Sequence, residues 1–264
     1  MLDKLWQVRR IMTLAIETKG LTRRFGEVVA VNGLDLHVQT GTFYGFLGPN
    51  GAGKSTTIKM LTGLLAPTSG AMCILDQDMA DADGAREMRR RIGVVPEQLA
   101  LFDNLTAREY LTFVGRMYRL PLDTVRDRCR ELLAMMELEH EEKKLSFEYS
   151  HGMKKKLALA GALIPGPDIL FLDEPFEGVD AVSSRVLRDV LKRSVQRGST
   201  VFLTSHVLEI VEKLCTDVGI IAQGKLVYQG TMGEVRQSGS LEEKFLEAVG
   251  RGQIERQTLS WLEG

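Results

Sequence analysis

The chain of 264 residues has only three cysteines, Cys73, Cys129 and Cys215. They are odd in number, far apart and not at metal-ligand spacing, which excludes a disulfide framework and a thiolate metal site and fits a reduced cytosolic setting. Excess charge is also lacking: 34 Lys and Arg stand against 35 Asp and Glu, a formal net charge of −1. No net field draws the protein to nucleic acid or acidic lipid, so any such contact must be local. The chain has no apolar run of about 18 residues, so no helix of it is expected to span a bilayer; the long charge-free stretch Leu36 to Gly53 is Gly-rich and polar. Met1 to Arg10 carries Lys4, Arg9 and Arg10 without an apolar core and small-residue cleavage site, so no signal peptide is expected, and Met12 is an alternative start. Internal repeats, low-complexity segments and sustained heptads are missing as well. Basic residues interleaved with aromatics are lacking too, since Arg86 to Arg91 is a charge cluster without stacking residues and no direct nucleic-acid partner is expected.

What is present is a globular composition, 44% hydrophobic and 26% charged, in a length of roughly 1.8 domain equivalents. Short apolar runs at Leu14–Glu17, Val28–Val31, Phe43–Leu47, Ile92–Val95, Ile169–Leu172, Val201–Thr204 and Val218–Ile221 read as buried strands. Helical patterns lie between several of them, such as Ile58, Leu61, Thr62, Leu65 and Val186, Leu187, Val190, Leu191, with Val182, Val186 and Val190 also marking an apolar face, so strand and helix alternate as in a mainly parallel α/β sheet. From about Gln98 to Ile164 the pattern changes to consecutive helices, an inserted lobe. Thr106 to Glu109 is a capping box, Tyr110, Phe113, Val114 and Met117 mark one apolar face, and Val125, Cys129, Leu132, Leu133 and Met136 mark the next. Cys129 and the pair Met135 and Met136 read as packing residues.

Gly48-Pro49-Asn50-Gly51-Ala52-Gly53-Lys54-Ser55 follows the strand Phe43–Leu47 and precedes a helix expected over Thr56–Leu64, so it fits a phosphate-binding P-loop in its strand-loop-helix context. Glycines at 48, 51 and 53 let backbone N–H groups turn inward, and the helix start adds a positive end, with Thr56 in its first turn. Lys54 then reaches the β and γ phosphates of a nucleotide, and the Ser55 hydroxyl suits Mg²⁺, which takes hard oxygen donors. A dinucleotide fold fits less well because GxGxxG is absent. Ile169 to Glu174 is an apolar strand ending in two carboxylates, at the carboxyl end where α/β sheets bind ligands. Asp173 suits the metal and Glu174 the attacking water. His206, after the strand Thr200–Thr204, is placed to contact the γ phosphate, although a lone His is more often structural.

The ordered set formed by the P-loop, Ser150-His-Gly-Met-Lys154, Leu172-Asp-Glu-Pro175, Gly178-Val-Asp180 and Thr204-Ser-His206 resembles the ATP-binding subunit of ABC transporters. The resemblance implies a P-loop NTPase fold, α/β with a mainly parallel central sheet, an antiparallel β edge and the inserted helical lobe. It implies an ATP-binding domain over residues 14–235 with the lobe at about 98–164, a short helical tail over 236–264 and an N-terminal extension over 1–13. By the same resemblance Phe25, followed by Gly26, stacks on adenine; a plain core Phe is the alternative. Ser150 and Gly152 match the family signature, while Tyr149, His151 and Met153 depart from its Leu, Gly and Gln. In the family that signature binds the γ phosphate held by a second subunit, so a homodimer or heterodimer is implied, with Asp180 in the loop that touches the partner. Ser150 also reads as an N-cap, and Lys154, Lys155 and Lys156 either favour the anion or form a solvated face. Val94-Val-Pro-Glu97-Gln98 departs from the family's glutamine-bearing loop: Glu97 stands at the Gln position and Gln98 one step later, and either offers an oxygen to Mg²⁺ and water.

The expected function is ATP binding and hydrolysis that drives a separate transmembrane permease, of the exporter type, with ATP and Mg²⁺ bound and the subunit peripheral on the cytoplasmic face of the membrane. The alternative is a soluble ABC ATPase acting on ribosomes or DNA; its relatives usually carry two cassettes or a long coiled coil, which this chain lacks. A regulator that binds nucleotide without hydrolysing it conflicts with an intact Lys54, Asp173, Glu174 and His206.

Overall fold

A computed structural model describes residues 13–250. Residues 1–12 and 251–264, which include Met12, nearly all of the expected extension and the end of the expected tail, lie outside the described residues. In chain order, β1 (Leu14–Phe25), β2 (Val28–Leu34), β3 (His37–Gln39) and β4 (Phe43–Leu47) lead to α1 (Lys54–Leu61). They are followed by β5 (Ser69–Ile74), β6 (Gln77–Asp78), α2 (Ala82–Arg90) and β7 (Ile92–Val95). Helices α3 (Ala107–Met117), α4 (Leu122–Met135) and α5 (His151–Leu163) then form the lobe between β7 and β8 (Ile169–Asp173). The chain continues through α6 (Ala181–Gln196), β9 (Thr200–Ser205), α7 (Leu208–Leu214), β10 (Asp217–Ala222), β11 (Lys225–Thr231), α8 (Met232–Ser238) and α9 (Leu241–Val249).

A six-stranded sheet runs in the order β11-β10-β4-β9-β8-β7, parallel except for the antiparallel edge strand β11. A second, five-stranded sheet of β1, β2, β3, β5 and β6 is antiparallel throughout. Five of the seven apolar runs read as strands lie in the parallel part of the six-stranded sheet, where β4, β8 and β9 are buried on both faces, as a parallel sheet covered on each side requires; the other two, in β1 and β2, belong to the antiparallel sheet and are partly exposed. Successive residues of a strand point to opposite faces, and that alternation divides the central strands between two cores. Phe43, Leu47, Leu170, Leu172, Val201 and Leu203 face one core with the lobe helices, whereas Tyr44, Phe46, Ile169, Phe171 and Phe202 face the other with α1 and the antiparallel sheet. Phe202 is the hub of the second, stacked on Tyr44 at 5.4 Å and 8° and touching Phe46 and Phe171 at 5.4 and 5.7 Å.

Several elements depart from the sequence-based expectation. Helix α1 starts at Lys54 because Gly53, at φ 108°, turns the chain directly into it, and it stops at Leu61 because Gly63 turns left-handed at φ 71°. The inward face of α6 holds Leu187, Val190 and Leu191 as expected, with Ser183 beside them and Val186 half-buried, but Val182 is 67% exposed. Strands β3, β5, β6 and β11 carry no sequence signal because they are short or partly exposed, with small and polar residues such as Ser69, Gly70, Gln77 and Gln229. The Thr106 box is formed as expected, with Thr106 Oγ1 accepting from the Glu109 N–H at 3.3 Å and Glu109 Oε2 accepting from the Thr106 N–H at 2.9 Å. Cys129 is buried in the lobe core.

The lobe is tied to the sheet by a close approach of α5 to β7, where a Cβ on Gly93 would lie 2.3 Å from the Ala162 carbonyl oxygen and 2.8 Å from Leu170 Cδ2. Gly93→Ala must therefore push the helix off the strand, and a loss of about 1–3 kcal/mol is expected, as for other overpacked interiors. Urea unfolding with the m-value held constant checks this, and a midpoint unchanged from the parent would contradict it.

Candidate functional site

The loop from β4 to α1 is shaped by two different glycine effects. Gly51 and Gly53 adopt left-handed φ of 78° and 108°, which turns the chain back on itself. Gly48 does not; it is required because a Cβ there would sit 2.5 Å from the Ile221 carbonyl oxygen, so the expected curl at position 48 is instead a close packing of loop on β10. Ala52 packs into the core beneath the loop. Helix α1 has no side-chain cap and no acidic residue in its first turn, which leaves its N-terminal N–H groups and positive end to the space above the loop. The Lys54 ammonium is held there, donating to the Gly48 carbonyl at 2.7 Å with the Pro49 carbonyl at 3.3 Å.

A cavity of about 310 Å³ opens at this point, with Pro49, Asn50, Gly51, Gly53, Lys54, Ser55 and Thr56 along one side. Glu97 after β7, Glu174 and Glu177 after β8, and His206 after β9 form the other side. These residues meet because β4, β9 and β8 run parallel in register, Leu47 beside Ser205 and Asp173 beside Thr204. The carboxyl ends of three strands thus deliver three loops to one edge.

The Thr204 hydroxyl joins the two acidic residues. It donates to Asp173 Oδ1 at 2.6 Å and accepts from the Glu174 N–H at 3.0 Å. Both carboxylates are buried, and Glu174 has φ 47°, a left-handed conformation that is unfavourable for a residue with a Cβ. Its side chain lies 3.6 Å from Lys54 Nζ through Oε1, while Oε2 is 3.0 Å from His206 Nδ1 and accepts from the His206 N–H at 3.3 Å. One carboxylate is therefore shared between the ammonium of the loop and the imidazole of the next strand end. His206 is not an isolated surface histidine.

The other candidate residues divide between the cavity and places outside it, Asp173 being buried next to Glu174 and not on the lining. Glu97 lines the cavity and Gln98 does not. Phe25 is 47% exposed at the end of β1, with the Arg23 guanidinium 4.6 Å from its ring centroid, so it is not a core side chain, and it is not among the residues lining the cavity. Ser150, Gly152 and Asp180 form a second group. Ser150 Oγ caps α5 by accepting from the Met153 N–H at 3.3 Å. A Cβ on Gly152 would lie 3.0 Å from Asp180 Oδ2, and Asp180 Oδ1 accepts from the Ser183 N–H at 2.9 Å as the cap of α6. Hydrogen bonds from Ser183 hold the Asp180 carboxyl below the usual range. None of the three lines the cavity of its own chain.

The lysine run is not a solvated face. Lys155 and Lys156 are 2% and 6% exposed; Lys155 donates to the Glu174 carbonyl at 3.0 Å, and Lys156 pairs with Glu137 at 3.1 Å. Glu177 and Lys155 carried no motif signal of their own, although Glu177 follows one turn behind Glu174. The Tyr149 phenol donates to the Glu141 carbonyl at 2.9 Å, and burial pushes its pKa up to about 12, so the departure at that signature position fills space and anchors a loop.

A family profile described as ABC transporter matches residues 31–177. The daunorubicin/doxorubicin resistance ATP-binding protein DrrA of Streptomyces peucetius is 38% identical over 247 residues, 92% of this chain and 74% of that protein. The bacitracin transport ATP-binding protein BcrA of Bacillus licheniformis is 40% identical over 217 residues, 82% of this chain and 69% of that protein. An ATP-binding subunit of an ABC transporter superposes with a TM-score of 0.83 at 30% identity, covering 90% of this chain and 100% of the other. A dimeric ATP-binding cassette in a post-hydrolysis state bound to ADP and Pi superposes with a TM-score of 0.75 at 27% identity, covering 82% and 98%. With its glycine loop, the strand-end carboxylate of Glu174 and the His206 imidazole converging on one cavity, the chain belongs to the ABC transporter family as one of its ATP-binding, ATP-hydrolysing subunits.

Proposed function

We propose that this subunit powers an exporter, with two such cassettes closing on ATP beneath a separate permease at the cytoplasmic face of the membrane. The observation that carries the reading is the placement of one buried carboxylate, Glu174, within reach of both Lys54 and His206 at the mouth of the glycine loop. The phosphates lie against the N–H groups of residues 48–56, from Gly48 to Thr56, with Lys54 on the β and γ groups. Glu174 orients the attacking water and accepts its proton, a role worth about 10²–10⁴ in rate. His206 holds that carboxylate and reaches the γ phosphate. Phe25 offers an exposed ring to adenine, beside Arg23.

The donor set suits Mg²⁺. Among the described residues no cluster of three or more His, Cys, Asp or Glu is arranged for a metal, so a cation would be shared between protein oxygens and nucleotide phosphates, the arrangement Mg²⁺ favours. Ser55 and, at the opposite wall, Glu97 offer oxygens on the cavity itself; Asp173 is buried next to Glu174 rather than on the cavity lining and keeps one carboxylate oxygen beyond its bond with Thr204. When bound, the ion neutralises charge developing on the transferring phosphoryl group.

Dimerisation is supported by where Ser150, Gly152 and Asp180 lie. A capped helix start is an anion site, yet these residues are absent from their own chain's cavity, so the phosphate they meet belongs to a second copy or a homologue. The solved dimeric cassette supports the pairing, and the relatives named for daunorubicin/doxorubicin resistance and for Nod factor export support the outward direction. Among the described residues no helix is long and apolar enough to cross a membrane; in this reading the transmembrane path belongs to the permease. The lobe offers it an apolar face: Phe102, Phe113 and Met117 are exposed, Phe102 meets Phe113 edge-on at 5.1 Å, and a groove of about 210 Å³ beside them is lined by Leu99, Leu101, Tyr110 and Val114.

Glu174→Gln should keep ATP affinity, lower turnover by at least about 100-fold and trap a dimer visible by size-exclusion chromatography with ATP. Unchanged turnover would remove the role given to Glu174. Lys54→Ala should weaken ATP binding itself by tenfold or more (~1.4 kcal/mol), read by equilibrium titration, and normal affinity would contradict the phosphate cradle. The tagged chain purified from its own cells in mild detergent should carry a polytopic membrane protein, and Phe113→Asp should release it; recovery of ribosomal or DNA-repair proteins instead would replace transport with the soluble-ATPase reading.

A further inference from the structure

Lys155 sits in the second turn of α5, the helix that Ser150 caps, with its side chain 2% exposed among Val95, Leu159, Leu172, Leu187 and Leu191. A buried ammonium is costly unless it is fully hydrogen-bonded, and burial lowers its pKa despite the attraction of Glu177, Glu97, Asp173 and Glu174. A leucine or methionine would fill such a place without that cost. What the ammonium does is donate to the backbone carbonyl of Glu174 at 3.0 Å.

That carbonyl belongs to the residue held at φ 47°. Its N–H is fixed by Thr204 and its carboxylate by His206, both from the β9 end, whereas Lys155 grips it from the helical lobe. A left-handed non-glycine residue persists only where its surroundings over-determine it. Loss of one anchor frees the peptide to relax and swings the carboxylate away from the water it must orient, and misplacement of about 1 Å can cost about 100-fold in rate.

We propose that Lys155 is a positioning residue for ATP hydrolysis, linking the signature end of α5 to the conformation of Glu174. The inference rests on the reading of Glu174 as the water-orienting carboxylate. Movement of α5 when Ser150 meets a phosphate across the dimer is thereby transmitted to the backbone of the residue that activates water.

The test uses the full chain and three substitutions, Lys155→Met, Lys155→Arg and Glu174→Gln, with kcat, KM for ATP and thermal midpoint measured for each. Methionine matches the aliphatic stem and removes the donor. The expected result for Lys155→Met is a thermal midpoint equal to or above the parent's, KM within twofold, and kcat lowered 10- to 100-fold. Lys155→Arg, which keeps a donor, should recover kcat to within fivefold of the parent. A Lys155→Met kcat within twofold of the parent, while Glu174→Gln abolishes turnover, would overturn the role of Lys155 and leave that of Glu174 intact. A joint fall of midpoint, ATP binding and kcat in Lys155→Met that Lys155→Arg does not reverse would mark the lysine as structural and overturn it too. Turnover retained by Glu174→Gln would remove the reading of Glu174 and this inference with it.

Discussion

The parallel register of β4, β9 and β8 is the constraint on which the site depends. Leu47 pairs with Ser205 and Asp173 with Thr204, so the chain leaves three neighbouring strands at one level. The glycine loop, the two carboxylates and His206 follow within a residue or two of those ends. A slip of one position would carry each strand's buried set to the opposite face. It would also separate the Thr204 hydroxyl from Asp173 and from the Glu174 N–H. Phe202, stacked on Tyr44 and touching Phe46 and Phe171 across the same strands, resists that slip from the core side.

On this rigid edge the protein accepts local cost for placement. Glu174 is left-handed and buried, Lys54 is drawn back onto the Gly48 carbonyl, and Lys155 is an ammonium in an apolar wall. Each unfavourable feature is offset by charge or hydrogen bonding from a different element: α1, β9 and α5 all converge on one carboxylate residue. Groups oriented in this way need little reorganisation during reaction, which is where electrostatic catalysis gains most. The second group, Ser150, Gly152 and Asp180, is as tightly organised but stands outside the cavity, joining the starts of α5 and α6. In the proposed reading, one subunit holds two half-sites whose meeting needs another subunit.

Elements whose identity rests on short-range chemistry are legible in the amino-acid sequence. The apolar runs of β4, β8 and β9 are buried on both faces and read as strands, and Thr106 with Glu109 closes its box within one turn. The glycine loop is readable because its spacing is itself the mechanism. Elements that depend on neighbours are not. Strands β5 and β11 take their pairing from β1 and β10 rather than from an apolar pattern. Val182 fits a helical stripe yet faces outward, because the face α6 buries is chosen by what α5 presents to it. Lys155 and Lys156 read as a charged surface run because charge is normally solvated, and nothing local to them reveals the carbonyl and the carboxylate that receive them.

The amino-acid sequence by itself determined which groups this protein brings to its site: a glycine loop of the phosphate-binding pattern, a pair of strand-end carboxylates and a capped helix start that resembles the ABC signature, each defined by residues adjacent along the chain. Only the tertiary structure decided that Glu97 rather than Gln98 meets the cavity, that His206 is bonded to Glu174, that Gly48 serves packing rather than curl, and that a lysine of the signature helix grips the backbone of Glu174. The physical reason is range. Capping, turning and alternation act over a few residues, whereas burial of a charge and the register of non-adjacent strands are set by partners tens of residues away, which become neighbours only when the sheet closes.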